Sequence, residues 1–95
     1  MLYFIVNKLS GKGKGAETAQ KIIERLNALG VQFKMECTLE KEHATILAQE
    51  FSKKEDCAGI IAVGGDGTFS EVLNGIDTSI PVGFISSGSG NDFFR

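Results

Sequence analysis

Three times along this chain of 95 residues a short apolar run leads into a cluster of glycines. Tyr3–Asn7 precedes Gly11, Gly13 and Gly15, Ala58–Val63 stops at Gly64-Gly65-Asp66-Gly67, and Val82–Ile85 precedes Gly88 and Gly90. Apolar runs of this length, bounded by turn residues, read as strands covered on both faces of a parallel sheet. A fourth segment, Val31–Cys37, alternates, with Val31, Phe33, Met35 and Cys37 on one side, and reads as a strand with one wetter face. Between the strands the apolar period changes to that of a helix. From Ala16, the residues Ala19, Ile22, Ile23, Leu26 and Leu29 share a face, and Gly30 supplies the stop. Ala44, Leu47, Ala48 and Phe51 form a second such face, with Thr38 as the expected N-cap and Glu40 and Glu42 in the favourable first turn. Phe69, Val72, Leu73 and Ile76 form a third, opened by Thr68-Phe69-Ser70-Glu71 in the form of a capping box.

The order βαβαβαβ predicts an α/β fold, a doubly wound and mostly parallel sheet with helices on both faces. Right-handed crossovers give the strand order 2-1-3-4, with the first and third strands side by side and the winding direction reversing between them. Ligands of such sheets bind beyond the carboxyl ends of the strands. All three glycine clusters lie at that edge. The fourth strand is expected at an open edge, which invites pairing with another chain, so a homodimer is an expected association.

Composition narrows the partners. A formal net charge of -2 argues against a general nucleic-acid binder. Cys37 and Cys57 have no metal-like spacing and read as reduced thiols of a cytoplasmic protein. No stretch approaches a membrane span, and Met1–Val6 is too short for the apolar core of a signal peptide. His43 reads as a boundary residue of the second helix.

Chemistry concentrates in the loops. Gly64-Gly65-Asp66-Gly67-Thr68 lets the backbone approach a phosphate closely, at a helix start that offers free N–H groups. Asp66 is the odd member, because a carboxylate beside phosphates is repulsive. A Mg²⁺ ion, bound directly or through water, would relieve that; the plainer alternative is a turn whose Asp only bonds its own backbone. The first loop carries Lys8, Lys12 and Lys14 with no acid among them, a local positive field suited to anions or an ordinary solvated turn. It lacks the Gly-Lys-Ser/Thr ending of a P-loop. Gly11, Gly13 and Ala16, with Glu36 near the end of the second strand, do satisfy a dinucleotide fingerprint, so an oxidoreductase module stands as an alternative.

The runs "GGDGTFSEVLNGI" and "GSGNDFFR" resemble the catalytic domain of the diacylglycerol kinase and sphingosine kinase superfamily, particularly its bacterial lipid kinases. The opening "NKLSGKGKG" is similar to that family's first nucleotide loop, with Lys8 in place of the usual proline. NAD kinases and phosphofructokinases share the shorter GGDGT signature, so another nucleotide kinase of that type is a second alternative, and a non-catalytic phosphate-binding regulatory module a third. The resemblance implies the N-terminal lobe of a phosphofructokinase or NAD kinase-like fold, with ATP and Mg²⁺ as cofactors. It implies nucleotide contacts from Asn7, Ser10, Gly11, Lys12, Thr38, Gly64, Gly65, Asp66, Gly67, Thr68, Glu71, Ser89 and Asn91. Asp66 would serve the catalytic metal network, with Asp92 as a further metal candidate.

The family's lipid-binding β-sandwich domain is not in residues 1–95. The chain is therefore expected to be the ATP-binding part of a larger catalytic domain, inactive alone, with Phe93 and Phe94 packing in the remainder. The implied reaction is phosphorylation of a lipid hydroxyl, of diacylglycerol type by family default, in phospholipid biosynthesis. Its setting would be cytoplasmic, peripheral at the inner face of the membrane, with transient contact to the membrane surface. Lys12 or Lys14 is expected to reach toward phosphates held at Gly65–Thr68.

Overall fold

The computed structural model describes residues 1–77 and 79–87. The first apolar run becomes β1 (Leu2–Val6), and Tyr3, Phe4, Ile5 and Val6 are all buried. After it come α1 (Lys14–Leu29), β2 (Phe33–Cys37), α2 (His43–Ser52), β3 (Gly59–Gly64), α3 (Asp66–Gly75) and β4 (Val82–Ser86). The four strands form one sheet in the order β2-β1-β3-β4, with every pairing parallel. This is the expected order, with β1 and β3 adjacent. Leu2 to Val6 are in register with Phe33 to Cys37 on one side and with Gly59 to Val63 on the other.

Alternation along β1 builds two cores. Phe4 and Val6 point to one face, where they pack with Val63 and with Ala19, Ile22 and Leu26 of α1. Tyr3 and Ile5 point to the other, where Ile60, Ala62 and Val72 join Ala44, Leu47, Ala48 and Phe51 of α2. The sheet thus carries helices on both faces. Two residues of the expected stripes fall outside them: Leu29 is 61% exposed and Leu73 is also exposed. Val31 is not part of β2, which starts two residues later. Helix α1 ends as its sequence predicts, with Gly30 at φ 72 and the Val31 N–H returning to the Leu26 carbonyl at 3.0 Å.

Two expected caps are corrected. Helix α2 begins at His43, not after Thr38, and neither Glu40 nor Glu42 lies in its first turn. The Thr38 N–H instead donates to the Val6 carbonyl at 2.8 Å, which keeps the chain in line with the sheet beyond β2. Helix α3 begins at Asp66 with Gly65 at its N-cap, so Thr68 is inside the first turn and no side chain caps that end. Among the described residues, no helix is long and apolar enough to cross a membrane.

Helices α2 and α3 approach each other closely. The Thr45 hydroxyl donates to the Glu71 carbonyl at 2.7 Å, and a methyl group on Gly75 would fall on the Thr45 carbonyl oxygen. Gly75 is required for backbone approach rather than for a turn. Gly75→Ala is therefore expected to destabilise the fold by about 1–3 kcal/mol, the usual cost of forced overpacking, read from urea denaturation.

Tyr3 links the start of β1 to the segment before β3. Its ring stacks on Phe51 with centroids 4.7 Å apart, and its hydroxyl donates to Asp56 Oδ1 at 2.5 Å. The hydrogen bond to Asp56, aided by burial, pushes the Tyr3 hydroxyl up from 10.0 to about 12. The same bond holds the Asp56 carboxyl below its ordinary 3.8, against the opposing effect of desolvation. The Asp56 contribution is thus present above its ordinary value and lost as pH falls through the lowered one. The Tyr3 contribution is present below 10.0 and lost as pH rises toward about 12. Tyr3→Phe should lower the urea midpoint at neutral pH and flatten its alkaline decline relative to wild type. Unchanged alkaline curves would remove the Tyr3–Asp56 bond from the pH dependence.

Candidate functional site

Parallel strands deliver their exits to one edge, and here the exits are stitched together laterally. The Asn7 N–H donates to the Val63 carbonyl at 2.9 Å, and the Ser87 N–H to the Gly64 carbonyl at 2.9 Å. Ser10 Oγ, in the first loop, is hydrogen-bonded to the Asn7 carbonyl at 2.8 Å and to Ser87 Oγ at 2.9 Å. The loops after β1, β3 and β4 are therefore tied together along one edge of the sheet.

The first loop spends its glycines on folding back. Gly11, Lys12 and Gly13 lie at φ 62, 59 and 90, three left-handed residues in succession. A methyl group on Gly15 would fall on the Asn7 carbonyl oxygen, so the first turn of α1 sits hard against the exit of β1. On Gly11 a methyl group would meet Ser87 Oγ at 2.9 Å.

The loop after β3 spends its glycines differently. The first helical acceptor of α3 is the Gly65 carbonyl, which receives the Phe69 N–H at 3.2 Å. The N–H groups of Asp66, Gly67 and Thr68 therefore have no acceptor within the helix, and they carry its partial positive charge. Among the described residues, methyl groups built on Gly65 or Gly67 would meet nothing within 4 Å, so this stretch of backbone is open toward them. Gly64 is the opposite case: a methyl group there would meet Thr68 Oγ1 at 2.7 Å and Asn7 Cβ at 3.3 Å. Thr68, 7% exposed, is thus packed beneath Gly64. The Asp66 side chain, first in α3, is exposed.

Beside this helix start lies a cleft of about 330 Å³. Asn7 and Leu9 line it from the first loop, Thr38 to Lys41 from the segment after β2, Ala44 from α2, and Thr68 and Glu71 from α3. Of the expected nucleotide contacts, Asn7, Thr38, Thr68 and Glu71 come together in its walls, and Gly64, Gly65, Asp66 and Gly67 adjoin them. Ser10 and Gly11 lie on the Ser87 side of the first loop. Lys12 is exposed on the left-handed turn and is not among the lining residues; Lys41 is the lining cation. Ser89, Asn91, Asp92, Phe93 and Phe94 lie outside the described residues.

Sequence reasoning missed Leu39, Lys41 and Ser87. For Lys41 a signal existed, because it closely follows the end of a strand at the edge where the glycine loops converge. Among the described residues, no three His, Cys, Asp or Glu side chains gather as a metal site. The exposed carboxylate of Asp66, beside a helix start with free N–H groups, has the chemistry to hold Mg²⁺, which takes one or two carboxylates together with phosphate oxygens and water.

The family model for the diacylglycerol kinase catalytic domain matches residues 1–95. The chain is 37% identical over 94 residues to a diacylglycerol kinase of Staphylococcus haemolyticus, covering 96% of this chain and 28% of that protein. It is 35% identical over 96 residues to sphingoid long-chain bases kinase 1 of Arabidopsis thaliana, covering 92% of this chain and 13% of the relative. The crystal structure of a diacylglycerol kinase from Bacillus anthracis superposes with a TM-score of 0.75 at 33% identity, covering 97% of this chain and 34% of that one. The chain thus spans about a third or less of the length of these proteins.

The glycines of the site make a test that needs no ligand. Gly67→Ala should stabilise the fold by about 0.4–1 kcal/mol, since it removes a flexible glycine from the first turn of α3 and meets no neighbour among the described residues. Gly64→Ala should destabilise it by about 1–3 kcal/mol through the clash with Thr68. Urea midpoints that move the same way for both would contradict the packing described.

Proposed function

The chain belongs to the diacylglycerol kinase catalytic domain family, and from that premise we propose that it is the nucleotide-binding part of a lipid kinase. The reaction is transfer of the terminal phosphoryl group of ATP to a lipid hydroxyl. The observation that carries this reading is the open backbone of Gly65 and Gly67 at the start of α3, beside a cleft walled by Asn7, Thr38, Thr68 and Glu71. Free N–H groups at a helix N-terminus suit phosphate oxygens. The adjoining cleft is open enough for the rest of a nucleotide, and Lys41 adds a cation to its wall.

Phosphoryl transfer asks the protein mainly for positioning and neutralisation of charge. The acceptor oxygen forms a bond to the terminal phosphorus as the bond to the ADP oxygen breaks, and the hydroxyl proton passes to a base. Residues 1–87 serve the donor half of that exchange: the backbone of Gly65–Thr68 binds phosphate, and Asn7, Thr38 and Glu71 orient the nucleotide. Asp66 would hold Mg²⁺, which when bound neutralises phosphate charge and aligns the leaving group. Ser10 and Gly11 set the shape of the first loop, with Lys12 at its exposed turn. Ser89, Asn91 and Asp92 complete the proposed contacts. The acceptor lipid and the base belong to a lipid-binding β-sandwich domain outside this chain. A diacylglycerol-type alcohol is the proposed substrate, met at the inner face of the membrane by a protein that is otherwise cytoplasmic.

Asp66→Asn in the intact protein should lower turnover about a hundredfold or more, the usual scale for losing an electrostatic group that acts on transition-state charge, with no change in melting temperature. Near-normal turnover would remove Asp66 from the mechanism. Gly67→Ala should weaken MgATP binding about tenfold, a modest steric loss at a phosphate-facing backbone, while the fold grows more stable. Unimpaired binding would place the phosphates elsewhere.

A further inference from the structure

Three of the residues that line the cleft, Leu39, Glu40 and Lys41, belong to the short segment between β2 and α2. Packing does not hold this segment, since Leu39 is 86% exposed. Hydrogen bonds do. At its start the Thr38 N–H donates to the Val6 carbonyl at 2.8 Å, and at its end the His43 N–H donates to the Glu40 carbonyl at 3.2 Å. Glu42 turns the chain into α2 at φ 71, a left-handed conformation that residues with a Cβ adopt reluctantly. Between these points the Leu39 N–H donates to Nδ1 of His43 at 2.9 Å. The imidazole, on the first residue of α2, reaches back across the segment to an amide that precedes the helix. Nδ1 accepts this bond through its ring lone pair.

We propose that His43 is a positioning residue for the nucleotide cleft: by accepting the Leu39 amide it holds Leu39–Lys41 as a preformed wall. The inference rests on the nucleotide reading of the cleft. It assigns His43 no contact with the nucleotide or with the reacting atoms. A wall that is already ordered does not have to be ordered by the ligand, and affinity falls in proportion to the fraction of molecules lacking the competent wall. Losing one neutral hydrogen bond shifts the ratio of ordered to disordered wall by about fivefold, and the competent fraction, and with it the affinity, falls by up to that factor.

Two variants separate this role from plain packing. His43→Leu removes the acceptor and keeps apolar bulk; His43→Asn can return an oxygen close to the position of Nδ1. The intact protein is compared by hydrogen exchange at the Leu39 amide without ligand, by calorimetric affinity for MgATP, by KM and kcat, and by melting temperature. The expected result is faster Leu39 exchange in His43→Leu, with MgATP binding weakened and KM for ATP raised by up to about fivefold, and kcat unchanged. His43→Asn should recover slow exchange and most of the affinity at a similar melting temperature. Wild-type affinity in His43→Leu overturns the proposal. So does equal weakening of both variants, or an affinity loss that follows a shared fall in melting temperature, because His43 would then be a residue of the fold alone. A wild-type protein that takes up no adenine nucleotide overturns the functional reading and the cleft role with it. In that case Leu39 exchange still distinguishes a present clamp from an absent one.

Discussion

The exit of β1 is the point on which the site depends. The Val6 carbonyl receives the Thr38 N–H on one side, and the Asn7 N–H reaches the Val63 carbonyl on the other. These two bonds continue the parallel ladders one step beyond the strands, so three loops begin at the same height above the sheet. A slip of one residue in β1 would turn Phe4 and Val6 from the α1 core toward the α2 core and displace Asn7 from the cleft. The two cores, made by alternate residues of one strand, therefore fix the register that places the loops.

The glycines divide into physical classes that a count of them would hide. Gly11 and Gly13 supply left-handed turns, and Gly15, Gly64 and Gly75 allow atoms to approach that a methyl group would obstruct. Gly65 and Gly67 do neither, having ordinary backbone angles and open space around them. Folding makes no visible demand for glycine at those two positions. Helix stability would favour alanine at Gly67, so its presence points to something that must come near the backbone.

Much of this was legible in the chain because the signals are local. The unbroken run Ile60–Val63 and the alternation of Phe33, Met35 and Cys37 gave the sheet, and crossover handedness gave its order. The capping box was misread because Thr68 and Glu71 have the same spacing whether the helix begins before or after Thr68. What decides is the packing of Thr68 against Gly64, together with the open Gly65 N-cap. Thr38 looked like a cap because it follows a strand, yet its amide continues the sheet and α2 starts only at His43. Lys12 stands out by charge, while the first loop that carries it is tied by the Ser10 hydroxyl to Ser87, far along the chain. His43 reads only as a boundary residue because nothing in the sequence around it shows that an imidazole will reach back to Leu39.

Placing the first strand at the middle of a parallel sheet also has a cost during synthesis. Tyr3, Phe4, Ile5 and Val6 are synthesised long before their partners in β3, which do not begin until Gly59. At ribosomal speeds that interval is roughly 3 to 12 seconds. Before α2 is made, this apolar strand has at most β2 beside it and only α1 to cover one of its faces. The face carrying Tyr3 and Ile5 stays bare until α2 has been made. Such a chain passes through a stage with an exposed strand edge and an exposed apolar surface, the combination that chaperones recognise and that aggregation exploits.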